Sequence, residues 1–278
     1  MIGVLLMALS AGCLEIATSI GKFETAHKKE SVYAFGFLNG FWVIVFLLIS
    51  ALFIRHTFVF SIASLPTFGA RLILEILLTL VSLKAIVAAD RSTFTFLRVW
   101  TIPLLLGVDL ILKYTISPSE MIGIFFILLA LVILFFAHGL GENGKLLSLT
   151  SAIMAVGTIS LYKYDITHFN SVEAEQVLIT LGILTTLFIT AKVRTGENLF
   201  SYLFKPIFFL QSFISGIASV AGSFAMLFAP ASVIMALGRS FEILAAIISG
   251  KTYFREKHSN IKLVAFACIA LGLILISL

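Results

Sequence analysis

Four charged side chains stand inside otherwise apolar stretches, and they are the residues best placed to do chemistry. They are Glu15, Arg98, Arg239 and Glu242. A charge at the centre of a membrane-spanning helix costs at least about 2.5 to 3.5 kcal/mol on insertion scales, so it should face a polar cavity or a partner. Two acids and two bases in this setting predict a membrane protein that binds a polar molecule carrying both charges.

Glu15 is the strongest single candidate because the sequence offers it no local partner except Lys22, seven residues further on. Desolvation favours the neutral form of a lone buried carboxyl group. Glu15 could therefore exchange a proton for substrate. The alternative is that Glu15 bridges to Arg98 across helices and only anchors the bundle.

Two further pairs have helical spacing. Arg239 and Glu242 are three residues apart, and Arg71 and Glu75 are four apart, so each pair shares one face of a helix. These pairs could bind a ligand, or they could neutralise each other and hold helices together. Lys84 and Asp109 lie nearer helix ends, where we expect them at the membrane interface. Trp100 is a candidate for recognising a cation over its ring.

The surrounding composition is that of an integral membrane protein. The 278 residues are 60% hydrophobic, with a mean hydropathy of +1.13. About 20 apolar residues cross the hydrocarbon layer as a helix, and these segments lack the alternation of barrel strands. The sequence predicts an all-α fold with ten transmembrane helices, at residues 2–21, 31–54, 68–89, 92–112, 118–137, 144–163, 174–195, 205–228, 231–250 and 260–278.

Several classes of function are disfavoured. The connections are short, and no nucleotide-binding loop is present, which argues against an ATP-driven pump. Cys13 and Cys268 lie inside predicted helices, so we expect no disulfide, metal site or cofactor. No hydrolytic motif is present, so we expect no enzyme. The net charge of +5 resides in membrane loops and does not indicate nucleic-acid binding.

Basic residues predict the orientation. Loops after even-numbered helices hold only Arg55, Lys113 and Lys163, with Arg71 at a margin. Loops after odd-numbered helices hold Lys22, Lys28, Lys29, Arg91, Lys145, Lys192, Arg194, Lys205, Lys251, Arg255, Lys257 and Lys262. The positive-inside rule then places the odd loops in the cytoplasm and both termini outside.

The chain also carries signs of an internal duplication. Residues 119–134 resemble residues 259–274, and Ser92 and Arg98 match Ser232 and Arg239 at nearly the same offset. Two halves of five helices must enter the membrane in opposite senses, because five is odd. We therefore predict two inverted repeats, at residues 1–138 and 139–278. Gly40, Gly107, Gly216, Gly222 and Gly238 are predicted to be close-packing sites between helices.

These features resemble a known family. Residues 11–22, AGCLEIATSIGK, resemble the first helix of small multidrug resistance proteins, in which a membrane glutamate is followed two turns later by lysine. Residues 239–277 resemble the last two helices of ten-helix, EamA-like members of the drug/metabolite transporter superfamily. Glu242 and Glu256 match two glutamates of that pattern, whereas Ile243 and Arg255 replace its proline and glycine. Pro103 fits the proline of the first half.

The resemblance implies a secondary carrier in a bacterial inner membrane, active as a monomer or homodimer, with protons as a coupling ion. Combined with the buried charges, it predicts alternating-access transport of a small polar or amphipathic metabolite, such as an amino acid-like zwitterion or an organic amine. Glu15, Arg98, Arg239, Glu242 and Trp100 are the predicted substrate-binding residues. The alternatives are a flippase-like protein for lipids or amphiphiles, and a membrane scaffold that transports nothing. Relatives commonly keep both termini in the cytoplasm, so the predicted orientation departs from them.

Overall fold

The computed structural model describes residues 1–27, 29–88, 97–98, 100–138, 144–253 and 259–277. These residues form helices and contain no β-strand. The α-helices are α1 (Ile2–Ala26), α2 (Val32–Ile49), α3 (Leu65–Ala88), α4 (Thr101–Ile111), α5 (Pro118–His138), α6 (Lys145–His168), α7 (Val172–Arg194), α8 (Pro206–Ala225), α9 (Ala231–Tyr253) and α10 (Ser259–Ser277). Each predicted span overlaps one of them, although most of residues 92–100 lie outside the described part.

Five of these helical segments are long and apolar enough to cross a membrane: Ile2–Thr25, Val32–Ile54, Leu146–His168, Val172–Arg194 and Pro206–Ala225. The second of them includes a π-helical turn, Ser50–Ile54, that continues α2. Shorter apolar helices lie at Thr101–Ile111, Pro118–Ala130 and Ala267–Ile276. The all-helical class of integral membrane protein predicted from hydropathy agrees with these segments.

Local sequence signals explain where several helices begin. Ser31 precedes α2, and its hydroxyl accepts a hydrogen bond from the backbone N–H of Ala34 at 3.1 Å. Ser171 does the same for α7 through Ala174 at 3.2 Å. Pro206 starts α8, where a missing N–H group costs nothing. These caps satisfy backbone donors that a helix start otherwise leaves open.

The described loops gather at two ends of the helix bundle. After α2 and α6, Ser171 N–H donates to the carbonyl of Val59 at 2.9 Å. Lys163, near the end of α6, contacts the connections that follow α4 and α8. Its Nζ lies 5.7 Å from the ring centroid of Tyr114, after α4, and donates to the carbonyl of Ala229, after α8, at 3.0 Å. We call this the even end. The loops after α1 and α7 meet elsewhere, where Ser31 Oγ donates to Glu197 Oε2 at 2.7 Å; we call this the odd end.

The most extensive helix–helix contacts are those of α1 with α8, α5 with α10, and α3 with α6. Helix α2 also packs on α7 and α8, α9 packs on α1 and α4, and α3 and α4 make smaller contacts with α7 and α6 respectively. Glycine permits some of these approaches, since a Cβ at Gly123 would lie 2.7 Å from the carbonyl of Gly272. At Gly216 it would lie 2.6 Å from Trp42 Cβ, as predicted for a packing site. Gly107 meets nothing within 4 Å, so that prediction was wrong.

Candidate functional site

The Arg239 and Glu242 side chains form a salt bridge on α9, with Nη1 and Oε2 2.5 Å apart. The pairing follows from the three-residue spacing, which places both on one helix face. Arg239 is buried at 5% exposure, whereas the Glu242 side chain keeps 18% exposure. The pair is thus inside the protein but not sealed.

Arg98 joins this pair from a different segment, because it interacts electrostatically with Arg239, Glu242 and Glu75. Glu75 on α3 in turn accepts a hydrogen bond from Thr158 on α6. Its side chain keeps 21% exposure. Charges from α3, α9 and the segment before α4 therefore converge.

Arg71 extends this convergence toward α7. Its Nη1 lies 2.7 Å from Glu175 Oε1, its Nη2 donates to Gln176 Oε1 at 3.0 Å, and its guanidinium lies 4.3 Å from the Tyr162 ring centroid. Glu75, the partner expected from sequence spacing, is more distant at 3.8 Å. We call Arg71, Glu75, Arg98, Arg239 and Glu242 the central cluster.

Further buried polar residues continue from Arg71 to the even end. Asn170 Nδ2 donates to Glu175 Oε2 at 2.6 Å, and Thr67 Oγ1 donates to Asp165 Oδ1 at 2.5 Å. Glu173 is fully buried, and its Oε1 lies 3.3 Å from Arg55 Nη1. We call Asp165, Asn170, Glu173 and Glu175 with these partners the even-end network. Sequence analysis did not select any of these four residues.

The central cluster retains hydrogen-bonding capacity. The Nε atoms of Arg71 and Arg239 are buried and have no hydrogen-bond partner among the described residues. Buried donors of this kind are costly unless something satisfies them. Together with the partly exposed carboxylates of Glu75 and Glu242, they suit a ligand that carries both an anionic and a cationic group.

Glu15 is half-buried on α1. A Cβ at Gly3 would meet Ile234, and one at Gly238 would meet Met7, so α1 and α9 run in the same direction. Continuing that register places Glu15 level with residue 246, about 6 Å or one turn beyond Glu242. Glu15 also interacts with another residue of the chain.

Three other residues considered in the sequence analysis, Trp100, Asp109 and Lys84, are not members of the central cluster. Trp100 is 59% exposed and precedes α4. Asp109 was expected at the membrane interface, but it is buried at 2% exposure, and its Oδ2 accepts a hydrogen bond from the backbone N–H of Ser232 at 2.7 Å. This bond satisfies a donor in the first turn of α9, which explains why the carboxylate is held inside. Lys84 is exposed.

A pocket of about 680 Å³ opens at the odd end. It lies between the α1–α2 connection and the last turns of α3 and α7. Glu30 lines it at 4% exposure. Burial raises the pKa of Glu30 to about 8; the hydrogen bond from Thr25 and the nearby Gln211 side chain oppose the rise, and the charges of Glu24 and Glu197 add to it. Sequence analysis missed Glu30 because it stands in a connection between helices. No cluster of three or more metal-binding side chains occurs among the described residues.

Comparisons with known proteins bear on the fold alone. No family model matches the chain, and no curated protein matches it. Among the solved structures that match is one described as "Crystal structure of protein", with a TM-score of 0.73 and 13% sequence identity. The match covers 98% of this chain and 95% of that one. The chain therefore shares the fold of that solved structure over nearly its whole length.

Proposed function

We propose that this protein is a secondary transporter that moves a small zwitterionic or amine-bearing metabolite by alternating access. The observation that carries the proposal is the Arg239–Glu242 salt bridge, buried within the bundle, partly exposed at Glu242, and in electrostatic contact with Arg98. A purely structural pair gains nothing from remaining accessible. A ligand site requires it.

Ion-pair exchange gives this arrangement a mechanism. The carboxylate of a substrate would bind the guanidinium of Arg239, while its ammonium group would bind the carboxylate of Glu242 or Glu75. Each protein charge then exchanges an internal partner for a substrate partner, so no bare charge remains in a medium of low dielectric constant. With Glu175, the partner of Arg71, three arginines face three glutamates, so the site is neutral when empty and stays neutral with a zwitterion bound. A carrier must achieve this to change conformation in either state.

The packing of helices supports two inverted repeats, at residues 1–138 and 139–278. Exchanging each helix with the one five positions away maps the main contacts onto each other: α1 with α8 becomes α6 with α3, and α1 with α9 becomes α6 with α4. The pairs α5 with α10, α2 with α7 and α4 with α9 map onto themselves. Such symmetry is characteristic of carriers that bind substrate between repeats.

The gathering of alternate loops at opposite ends supports ten crossings of the membrane. We place the protein with the drug/metabolite transporter superfamily, in a bacterial inner membrane, with both termini outside. Glu15, one turn from Glu242 on the neighbouring helix, is our candidate for coupling to protons. Trp100 remains a predicted binding residue, but we centre the proposed site on the central cluster.

Uptake by proteoliposomes tests the proposal. Purified protein is supplied with a panel of amino acids, amines and organic anions, under an imposed proton gradient. We expect Arg239→Gln and Glu242→Gln to lower uptake of the transported compound by at least about tenfold, the effect of about 1.4 kcal/mol. Glu15→Gln should remove uptake and its pH dependence, with folded protein retained. Glu120→Gln, whose carboxylate accepts a hydrogen bond from Ser117 N–H at the start of α5, is the matched control.

The outcomes separate the candidate functions. Uptake that is normal in both α9 variants would refute the central site, and normal uptake by Glu15→Gln would remove that residue from the mechanism. Thermal stabilisation by lipids instead of small hydrophilic compounds would favour a flippase. No stabilisation by any compound, with every charge dispensable, would favour a scaffold.

A further inference from the structure

The odd-end pocket contains balanced charges. Its acidic residues are Glu30 and Glu197, and its basic residues are Lys84 and Arg194. Leu80 and Leu83 supply an apolar wall, and the pocket also includes the rings of Tyr33 and Tyr202. A pocket of about 680 Å³ falls within the range that holds small organic ligands. These residues come from four separate segments, so only the folded chain assembles them.

Glu30 is the buried acid that lines this pocket. Its side chain is buried in a residue at 4% exposure. Thr25 Oγ1 donates to Oε1 at 3.3 Å, but Oε2 accepts no hydrogen bond from the described residues. A buried carboxylate oxygen without a donor is unfavourable. An ammonium group in the pocket would supply that donor and a compensating charge.

The basic residues of the pocket are placed to bind an anionic group of the same ligand. Arg194 and Lys84 are exposed, and Arg194 Nη1 donates only a long hydrogen bond of 3.4 Å to Tyr33 Oη. Glu197 is held by Ser31 through the 2.7 Å bond. Neither base forms a salt bridge with an acid of the pocket among the described residues. Both can therefore meet an anionic group.

We propose that this pocket is a second binding site, specific for an amino acid-like zwitterion with an apolar side chain. Its ammonium group binds Glu30 and Glu197, and its carboxylate binds Lys84 and Arg194. The side chain packs on Leu80 and Leu83. The proposal goes beyond the function proposed above and does not depend on it, because the site can bind whether or not the central cluster transports anything.

Binding at this site is coupled to a proton. Because the pKa of Glu30 is raised to about 8, the empty pocket holds Glu30 mostly protonated at pH 7. An ammonium ligand favours the carboxylate, so binding releases the proton, and affinity rises with pH up to about 8. Among the described residues, the other titratable or charged groups around Glu30 are Glu24, which is paired with Lys29 at 3.3 Å, and Glu197, Lys84, Arg194, Tyr33 and Tyr202.

Binding at this pocket can be measured separately from transport, because a bound ligand should protect a cysteine introduced in the pocket from labelling. Thr190 lines the pocket, so Thr190→Cys is placed in a Cys13→Ala, Cys268→Ala background and labelled with a maleimide. Phenylalanine is the probe, with phenethylamine and 3-phenylpropionate as analogues that each lack one charge. Thr195→Cys, exposed at the end of the same helix and outside the pocket, is the matched control.

We expect phenylalanine to slow labelling of Thr190→Cys but not of Thr195→Cys, with neither analogue protecting at the same concentration. Glu30→Gln and Arg194→Gln should each raise the half-protecting concentration about tenfold to a hundredfold, the cost of losing a charged hydrogen bond. Glu30→Gln should also remove the rise in affinity with pH. Glu120→Gln should change nothing.

The same measurement is repeated in the Arg239→Gln background, where protection should persist. Loss of uptake with protection intact would then concern the central cluster alone. Absence of protection by phenylalanine would overturn the proposed second site, as would equal protection by either analogue. Protection unaffected by both Glu30→Gln and Arg194→Gln would overturn it as well.

Discussion

The two ends of the helix bundle use the same residue types in opposite ways. At the even end, Glu173 and Glu175 are fully buried and bound by Arg55 and Arg71. At the odd end, Glu30 is also buried, and its Oε2, like Glu173 Oε2 at the even end, accepts no hydrogen bond from the described residues. The difference is that the bases near Glu30 are exposed beside a pocket. The even-end acids are thus bound by arginines of the protein itself, whereas Glu30 lies beside an open pocket.

The difference separates structural charges from binding charges. A buried ion pair between two helices serves mainly to fix how they dock, because removing either member leaves an uncompensated charge. A buried acid with spare capacity next to a cavity is available to a ligand. The central cluster combines both kinds of charge. Arg71 belongs to the even-end network, while Glu75 and Glu242 remain partly exposed.

The largest effect expected from this contrast is on stability at the even end. Glu175→Gln should lower the free energy of unfolding by about 3 to 5 kcal/mol, because it leaves Arg71 buried without its closest carboxylate. Glu197→Gln at the odd end should cost less than about 1 kcal/mol, as for other partly exposed charges. Denaturation in detergent micelles, followed by circular dichroism, compares the two variants. Equal losses would mean that the ends do not differ as described.

A second effect concerns pH. The pKa of Glu30 is raised from its ordinary value of 4.5 to about 8 in the folded protein. Between these values the folded state keeps a proton that the unfolded state has released, so stability should fall as pH rises through this window and level off above it.

We expect the fall to be at most about 5 kcal/mol, because each tenfold change in proton affinity is worth about 1.4 kcal/mol and the pKa moves from 4.5 to about 8. Glu30→Gln should flatten it, so that the variant is more stable than the original chain above pH 8 and similar below pH 4.5. Thermal unfolding at a series of pH values is the measurement. Identical profiles for the two proteins would show that Glu30 ionises as freely in the folded state as in the unfolded one.

The sequence predicted the helices and the ion pairs within one helix, but it did not predict the ion pairs between helices. Hydropathy located the helical segments because burial in lipid demands long apolar runs. Spacing gave the Arg239–Glu242 pair because helical geometry fixes which neighbours meet. It could not give Glu175 as the partner of Arg71, since the two are 104 residues apart and only the docking of α3 on α7 joins them. The same holds for Glu30, whose burial depends on α3, α7 and Gln211 of α8.

The smallest expected effect is the loss of stability when a single capping interaction at the even end is removed. Asp109 accepts a hydrogen bond from Ser232 N–H at the start of α9, so it caps that helix from α4. Asp109→Ala should cost about 1 kcal/mol, as loss of a capping side chain does. Asp109→Asn keeps an acceptor oxygen and should recover most of that loss in the same denaturation assay. If Asn is no better than Ala, the negative charge of Asp109 matters more than its hydrogen bond, and the favourable interaction is with Lys163 or the dipole of α9.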